Sequence, residues 1–192
     1  MKKILIINGN PEKNSYNYAL SQSYSEGAKN SKAEISTINI SELQFNPNLA
    51  HGYQKRTELE PDLQDAIEKI KNTDHIVWFF PMWWYSCPAI MKGFIDRTFL
   101  PGITFQPVEG RPLPEKLLKG KSARLIITAD SPSWFNKLFM KSPAINQIKR
   151  GTLQFCGVNP VKITYIAPMA NSTEEFREKH LQKVYALGEK LE

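Results

Sequence analysis

The chain has 192 residues, 41% hydrophobic and 23% charged, enough for one domain with a substantial core. Its formal charge of +6 comes from lysines and arginines scattered among acids, as in KRTELEPDLQDAIEKIKNTD (55–74), so no basic stripe forms and a nucleic-acid partner is not expected. No apolar run reaches the ~18 residues of a membrane span, Ile4–Ile7 is too short for a signal-peptide core, and Cys87 and Cys156 form no CxxC pair, so the expected protein is cytoplasmic with reduced thiols and no membrane insertion.

The first element is KKILIIN (2–8), a nearly continuous apolar block that suits a strand covered on both faces. A polar loop, GNPEKN, leads to a predicted helix over 15–29. Asn14 is its expected cap, and Tyr16, Ala19, Leu20 and Tyr24 recur at helical spacing. EISTINI (34–40) alternates Ile35, Thr37 and Asn39 against Ser36, Ile38 and Ile40, as an edge strand does. The spacing of Leu63, Ile67 and Ile70 after Pro61 predicts a helix over 61–72. HIVWFF (75–80) reads as a third strand, and a helix opening with Pro88 follows over 88–99.

Residues 99–122 form a long Pro- and Gly-rich excursion whose Phe99 and Phe105 suit a cover over a neighbour or a site. ARLIITA (123–129) is the fourth strand. A helix is expected over 143–156, ending near Gly157. VKITYIA (161–167) is the fifth strand. The last helix starts at STEE, where Ser172 and Glu175 have capping-box spacing, and carries Phe176, Leu181, Val184, Leu187 and Leu191 as its core stripe.

Strand and helix therefore alternate five times, which calls for an α/β fold with a parallel sheet covered by helices on both faces. Right-handed crossovers favour the flavodoxin-like order 2-1-3-4-5 in a single domain over 1–192, with the ligand at the carboxyl ends of the strands, where the order reverses. Three loops meet there. The first holds Asn14, Ser15 and Asn17 at a helix start, where free N–H groups and the helix dipole favour phosphate. The second holds Pro81, Met82, Trp83, Trp84 and Tyr85, a wall for a flat ring. The third holds Thr128, Ala129 and Asp130, with Trp134 and Phe135 close behind. A phosphate hole beside aromatic walls fits a flavin nucleotide. GxGxxG is absent, and Gly120-Lys121-Ser122 precedes a strand and has Glu115 where a P-loop needs Gly, so nucleotide-triphosphate chemistry is not indicated. His51, His75 and His180 lie in unrelated segments and suggest no metal site.

Three stretches resemble the NAD(P)H:quinone oxidoreductase family, the DT-diaphorase-like branch of flavodoxin-like flavoproteins. GNPEKNSYNYAL is similar to its G-H-P-x-x-x-S-F-N-x-A-L, and FPMWWYSCPAIMKGFIDRTF to its F-P-x-x-W-x-x-x-P-A-x-x-K-G-W-x-[DE]-R-x-F; GTLQFCGV resembles its late helix. The resemblance implies non-covalent FAD or FMN, two-electron hydride transfer from NAD(P)H to a small-molecule acceptor such as a quinone, and a homodimer with the site at its interface. It places Asn10, Ser15, Tyr16 and Asn17 at the flavin phosphates. Pro81, Met82, Trp83, Trp84 and Tyr85 fall along the isoalloxazine, and Thr128, Ala129 and Asp130 at its pyrimidine edge. Arg177 falls where a basic residue can meet the adenosine of FAD.

The chain departs from the family pattern in two places. Asn10 replaces the usual His, and Thr128-Ala129-Asp130-Ser131 replaces Thr-Gly-Gly with no Tyr and His pair following. Two other readings fit the same residues: a one-electron flavodoxin-type carrier, and a flavin-binding regulatory subunit of a membrane transport protein.

Overall fold

The computed structural model describes residues 1–52, 54–55 and 57–192. Seven strands and six α-helices follow in order: β1 (Lys3–Asn8), α1 (Tyr16–Lys29), β2 (Glu34–Asn39), α2 (Pro61–Asn72), β3 (His75–Pro81), α3 (Ala89–Thr98), β4 (Phe105–Gln106), β5 (Glu115–Lys116), β6 (Ser122–Thr128), α4 (Ser133–Leu138), α5 (Pro143–Ile148), β7 (Val161–Ile166) and α6 (Glu174–Glu189). The five long strands form one sheet, ordered β2-β1-β3-β6-β7, with all four pairings parallel. Counting only those strands, this is the expected order 2-1-3-4-5, with β2 at an edge.

Side-chain alternation sends each central strand's residues to both faces. Ile4 and Ile6 of β1, Val77 and Phe79 of β3, and Ile126 of β6 pack with Leu20, Tyr24 and Ala28 of α1 and Val184 of α6. Leu5, Ile7, Ile76, Trp78, Phe80, Leu125 and Ile127 face the other way, onto Leu63, Ala66 and Ile70 of α2 and Met91 and Phe94 of α3. Each such side chain contributes roughly 1.5–3 kcal/mol on burial, so the central strands lock the register that brings their carboxyl ends level.

Several local expectations are corrected. Asn14 does not cap α1. Ser15 does, with extended backbone (φ −77°, ψ 159°) and an Oγ that accepts from Tyr18 N–H. Ser172 likewise does not cap α6, because its Oγ donates to Met169 O and accepts from Arg177 Nε. Thr173 takes the cap, accepting Phe176 N–H at 3.2 Å. Leu191 lies beyond the helix but still packs against the same core. The helix expected over 143–156 is present and ends before Gly157; it is α5 continued through a π-helical segment, Lys149–Gln154. The excursion over 99–122 holds the small antiparallel β4–β5 hairpin, and α4 was not expected. Among the described residues, no helix is long and apolar enough to cross a membrane.

Part of the long motif in the second loop is scaffold. Arg97 of α3 is fully buried. It donates to Asn46 O and Glu58 O and pairs with Glu60 at 2.7 Å, clasping the segment between β2 and α2. Gly93 sits against Pro47, where a Cβ would overlap that ring.

Candidate active site at the carboxyl ends of the strands

The strand order reverses between β1 and β3, and the loops after β1, β3 and β6 meet there. Gly9 N–H bonds Phe79 O at 2.8 Å, and Met82 N–H bonds Thr128 O at 2.7 Å. The three loops are thus joined edge to edge by continued ladder bonds.

In the first loop, Ser15 takes the Tyr18 N–H, leaving the N–H groups of Tyr16 and Asn17 without an intrahelical acceptor. Free amides at a helix start, together with the helix dipole, are an arrangement that suits an anion. Asn17 itself is 2% exposed. Its Oδ1 accepts from Asn10 Nδ2 at 3.3 Å and from Thr128 Oγ1 at 3.0 Å, so one carboxamide bridges the first and third loops. Its Nδ2 is buried and has no partner among the described residues. An unsatisfied buried donor costs about 1–3 kcal/mol, which marks this corner as built for an acceptor. Asn10, also buried, accepts from Glu12 N–H and shapes the loop.

Tyr16 is turned away from this corner. Its hydroxyl donates to Arg177 O at 2.6 Å, and burial pushes its phenol up to about 12, against the opposing pull of Arg177. Arg177 is exposed, with Nε held by Ser172 Oγ at 2.8 Å. It therefore stands beside Tyr16, near the start of α1.

The second loop reverses within two residues. Trp83 and Ser86 exchange backbone bonds of 3.0 and 2.9 Å. Trp84 and Tyr85 between them both have positive φ, 49° and 57°. Such turns ordinarily use Asn-Gly. A side chain in the left-handed region costs on the order of 1–2 kcal/mol per residue. The result is a tryptophan held out of the protein: Trp84 is 99% exposed and Trp83 49%. These rings are not core filler. Pro81 is buried at the strand end, and Met82 is half-buried against the core.

The third loop is firmly braced. Ala129 N–H bonds Ile166 O, and Ala129 O accepts from Met169 N–H, so the residue's hydrogen-bonding groups are engaged by the β7 side. Asp130 Oδ1 accepts Ala170 N–H at 2.7 Å, which makes it a loop brace. Trp134 is exposed and meets Phe135 and Phe139 edge-on, while Phe135 stacks on Phe139 at 5.3 Å.

Two residues tied to these loops escaped the sequence reading. Tyr165 OH donates to Ser131 O at 2.8 Å, and Tyr85 OH bonds Ser131 Oγ at 2.9 Å. The available signal was a tyrosine one residue before the end of a strand that terminates on the cleft. Gln147 of α5 is the other, accepting Ser86 Oγ–H at 3.0 Å.

The family model described as "Flavodoxin-like fold" matches residues 2–187. The chain is 27% identical over 200 residues to the human ribosyldihydronicotinamide dehydrogenase [quinone], covering 91% of this chain and 85% of that one. It is 26% identical over 163 residues to an uncharacterized NAD(P)H oxidoreductase of Haemophilus influenzae, covering 82% and 80%. Among solved structures it is similar to Smu.1420 of Streptococcus mutans, with a TM-score of 0.84 and 27% identity, covering 98% of this chain and 99% of that one.

Proposed function

The chain belongs to the flavodoxin-like fold family, among its NAD(P)H:quinone oxidoreductases, and from that premise we propose that it is an enzyme that binds FAD or FMN where β1, β3 and β6 end. The observation that carries this reading is the pairing of two features on loops that meet at the carboxyl end of the sheet. One is a strained turn that stands Trp84 in the open; the other is a buried, unpartnered Asn17 Nδ2 beside a helix N-terminus. A flat ring with an anionic tail uses both.

Ser15 and the Tyr16 and Asn17 amides hold the phosphate, with Asn10 fixing the loop around it. Pro81, Met82, Trp83, Trp84 and Tyr85 form the wall along the ring. Thr128, Ala129 and Asp130 form the floor at its polar edge, Ala129 and Asp130 through the geometry they impose rather than through free donors. A flavin held there would supply the redox chemistry, two-electron hydride exchange between NAD(P)H and a quinone or similar aromatic acceptor. The protein's own work is to fix the ring plane, exclude water from one face and leave the other open to flat substrates.

A second copy of the chain completes the enclosure. Trp84, Trp134, Leu138 and Phe139 are all exposed, Trp134 meets Phe139 edge-on, and exposed apolar side chains of this kind suit an interaction face. The homodimer places that face over the cleft.

The test is anaerobic rapid mixing of flavin-loaded protein with NADH and with NADPH. Prompt loss of oxidised-flavin absorbance with at least one, and its return on adding a quinone, is the expected result. Loaded protein that neither nicotinamide reduces would show a carrier instead of an enzyme.

A further inference from the structure

We infer that Tyr165 is a positioning residue for the flavin cleft: with Tyr85 it grips Ser131, and this hydroxyl latch fixes the aromatic turn against the loop after β6. The inference rests on the flavin reading above.

A strained turn persists only where its surroundings over-determine it. Trp84 and Tyr85 are both left-handed, and neither is Gly. The turn's own two backbone bonds close it but do not orient it. Orientation comes from consecutive side chains tied to different elements. Ser86 Oγ reaches Gln147 of α5 at 3.0 Å, and Tyr85 OH reaches Ser131 Oγ at 2.9 Å.

Ser131 is a useful anchor only if it is itself held. Pro132 follows it and has no N–H to give. Tyr165 supplies the hold. It pairs with Ile127 in the β6–β7 ladder and reaches forward to the Ser131 carbonyl, which accepts its hydroxyl proton at 2.8 Å. Ser131 is thus gripped at its carbonyl by one phenol and at its hydroxyl by the other. Burial, with Tyr85 and Asp130 adding to it, pushes the Tyr165 phenol up to about 12, so it remains a donor across the working pH range.

Half-buried phenols ordinarily find some partner, and a phenol that only satisfies itself would leave the cleft unchanged when removed. The latch predicts otherwise. Tyr85→Phe, Ser131→Ala, Tyr165→Phe and the Tyr85→Phe/Tyr165→Phe double variant are compared with the parent protein, with circular dichroism confirming each fold. Two readouts are taken: FMN and FAD affinity by titration, and acrylamide quenching of tryptophan fluorescence in flavin-free protein. Tyr165→Phe is expected to weaken binding of the flavin that the parent takes by about 3- to 10-fold, the loss of one hydrogen bond, and to alter quenching of the exposed tryptophans. The double variant should be no worse than the weaker single, since both phenols act through Ser131. Ser131→Thr should recover what Ser131→Ala loses.

Parent-like affinity and quenching in Tyr165→Phe, or losses that multiply in the double variant, would overturn the latch. A parent protein that binds neither flavin would instead overturn the flavin reading. In that case quenching still decides whether the latch holds the turn.

Discussion

Arg97 shows what a motif residue does when it is not at the cleft. A fully buried guanidinium survives only with its charge met and most of its donors used. Here two backbone carbonyls and Glu60 meet the two terminal nitrogens, and Nε has no partner among the described residues. Removing the arginine leaves Glu60 and both carbonyls without their partner, so Arg97→Ala should lower unfolding stability by about 3–5 kcal/mol, read by urea denaturation. The pH dependence has a definite sign. Desolvation pushes the Glu60 carboxyl up, but hydrogen bonds from the Asn46 and Glu60 backbone N–H groups and from Arg97 outweigh it, and the net shift is below the ordinary 4.5. A depressed carboxyl contributes stability above its unfolded value and loses it as pH falls through the folded one. The gap between parent and Arg97→Ala should therefore be full at neutral pH and narrow below about 4.5. Asn17 is likewise buried with one donor left over, but it lies at the start of α1, where the carboxyl ends of the strands meet.

At the scale of elements, α1 and α6 cross closely enough to exclude side chains. A Cβ on Gly188 would overlap Tyr24 O, and one on Gly27 would overlap Tyr185 O. Gly188→Ala must push the helices apart at a packed face, and overpacking of this kind costs about 1–3 kcal/mol. Thermal unfolding should show the loss, and flavin affinity should hold, because the crossing lies at the end of α1 away from Ser15. The long strands were legible because KKILIIN and HIVWFF are apolar on both faces, which only a covered central strand requires. The caps were read one residue early because Asn14 and Ser15, and Ser172 and Thr173, carry interchangeable chemistry; backbone dihedrals chose between them. Helix α4 was illegible for a different reason: SWFNKL is short and leaves Trp134 and Leu138 exposed, so no buried stripe announces it. The site followed from the order of elements, which fixes which loops meet. Tyr165 did not, because its contact with Ser131 depends on the β6–β7 register and on a loop that closes back over it.

At the scale of the whole molecule, the sheet divides the core in two and levels the central strands at one end. Everything distinctive converges there: the unpartnered Asn17 amide, the left-handed aromatic turn, the gripped Ser131 and the exposed rings of α4. The central claim is that this end is shaped to hold a flavin against Trp84. The most direct measurement is titration of FMN and FAD into flavin-free protein, followed by tryptophan and flavin fluorescence, with Trp84→Ala alongside. The account predicts saturable, stoichiometric uptake of at least one flavin and a loss of about 3- to 10-fold in affinity for Trp84→Ala, the scale of one aromatic stack. No saturable uptake of either flavin, or uptake that Trp84→Ala leaves unchanged, would contradict it.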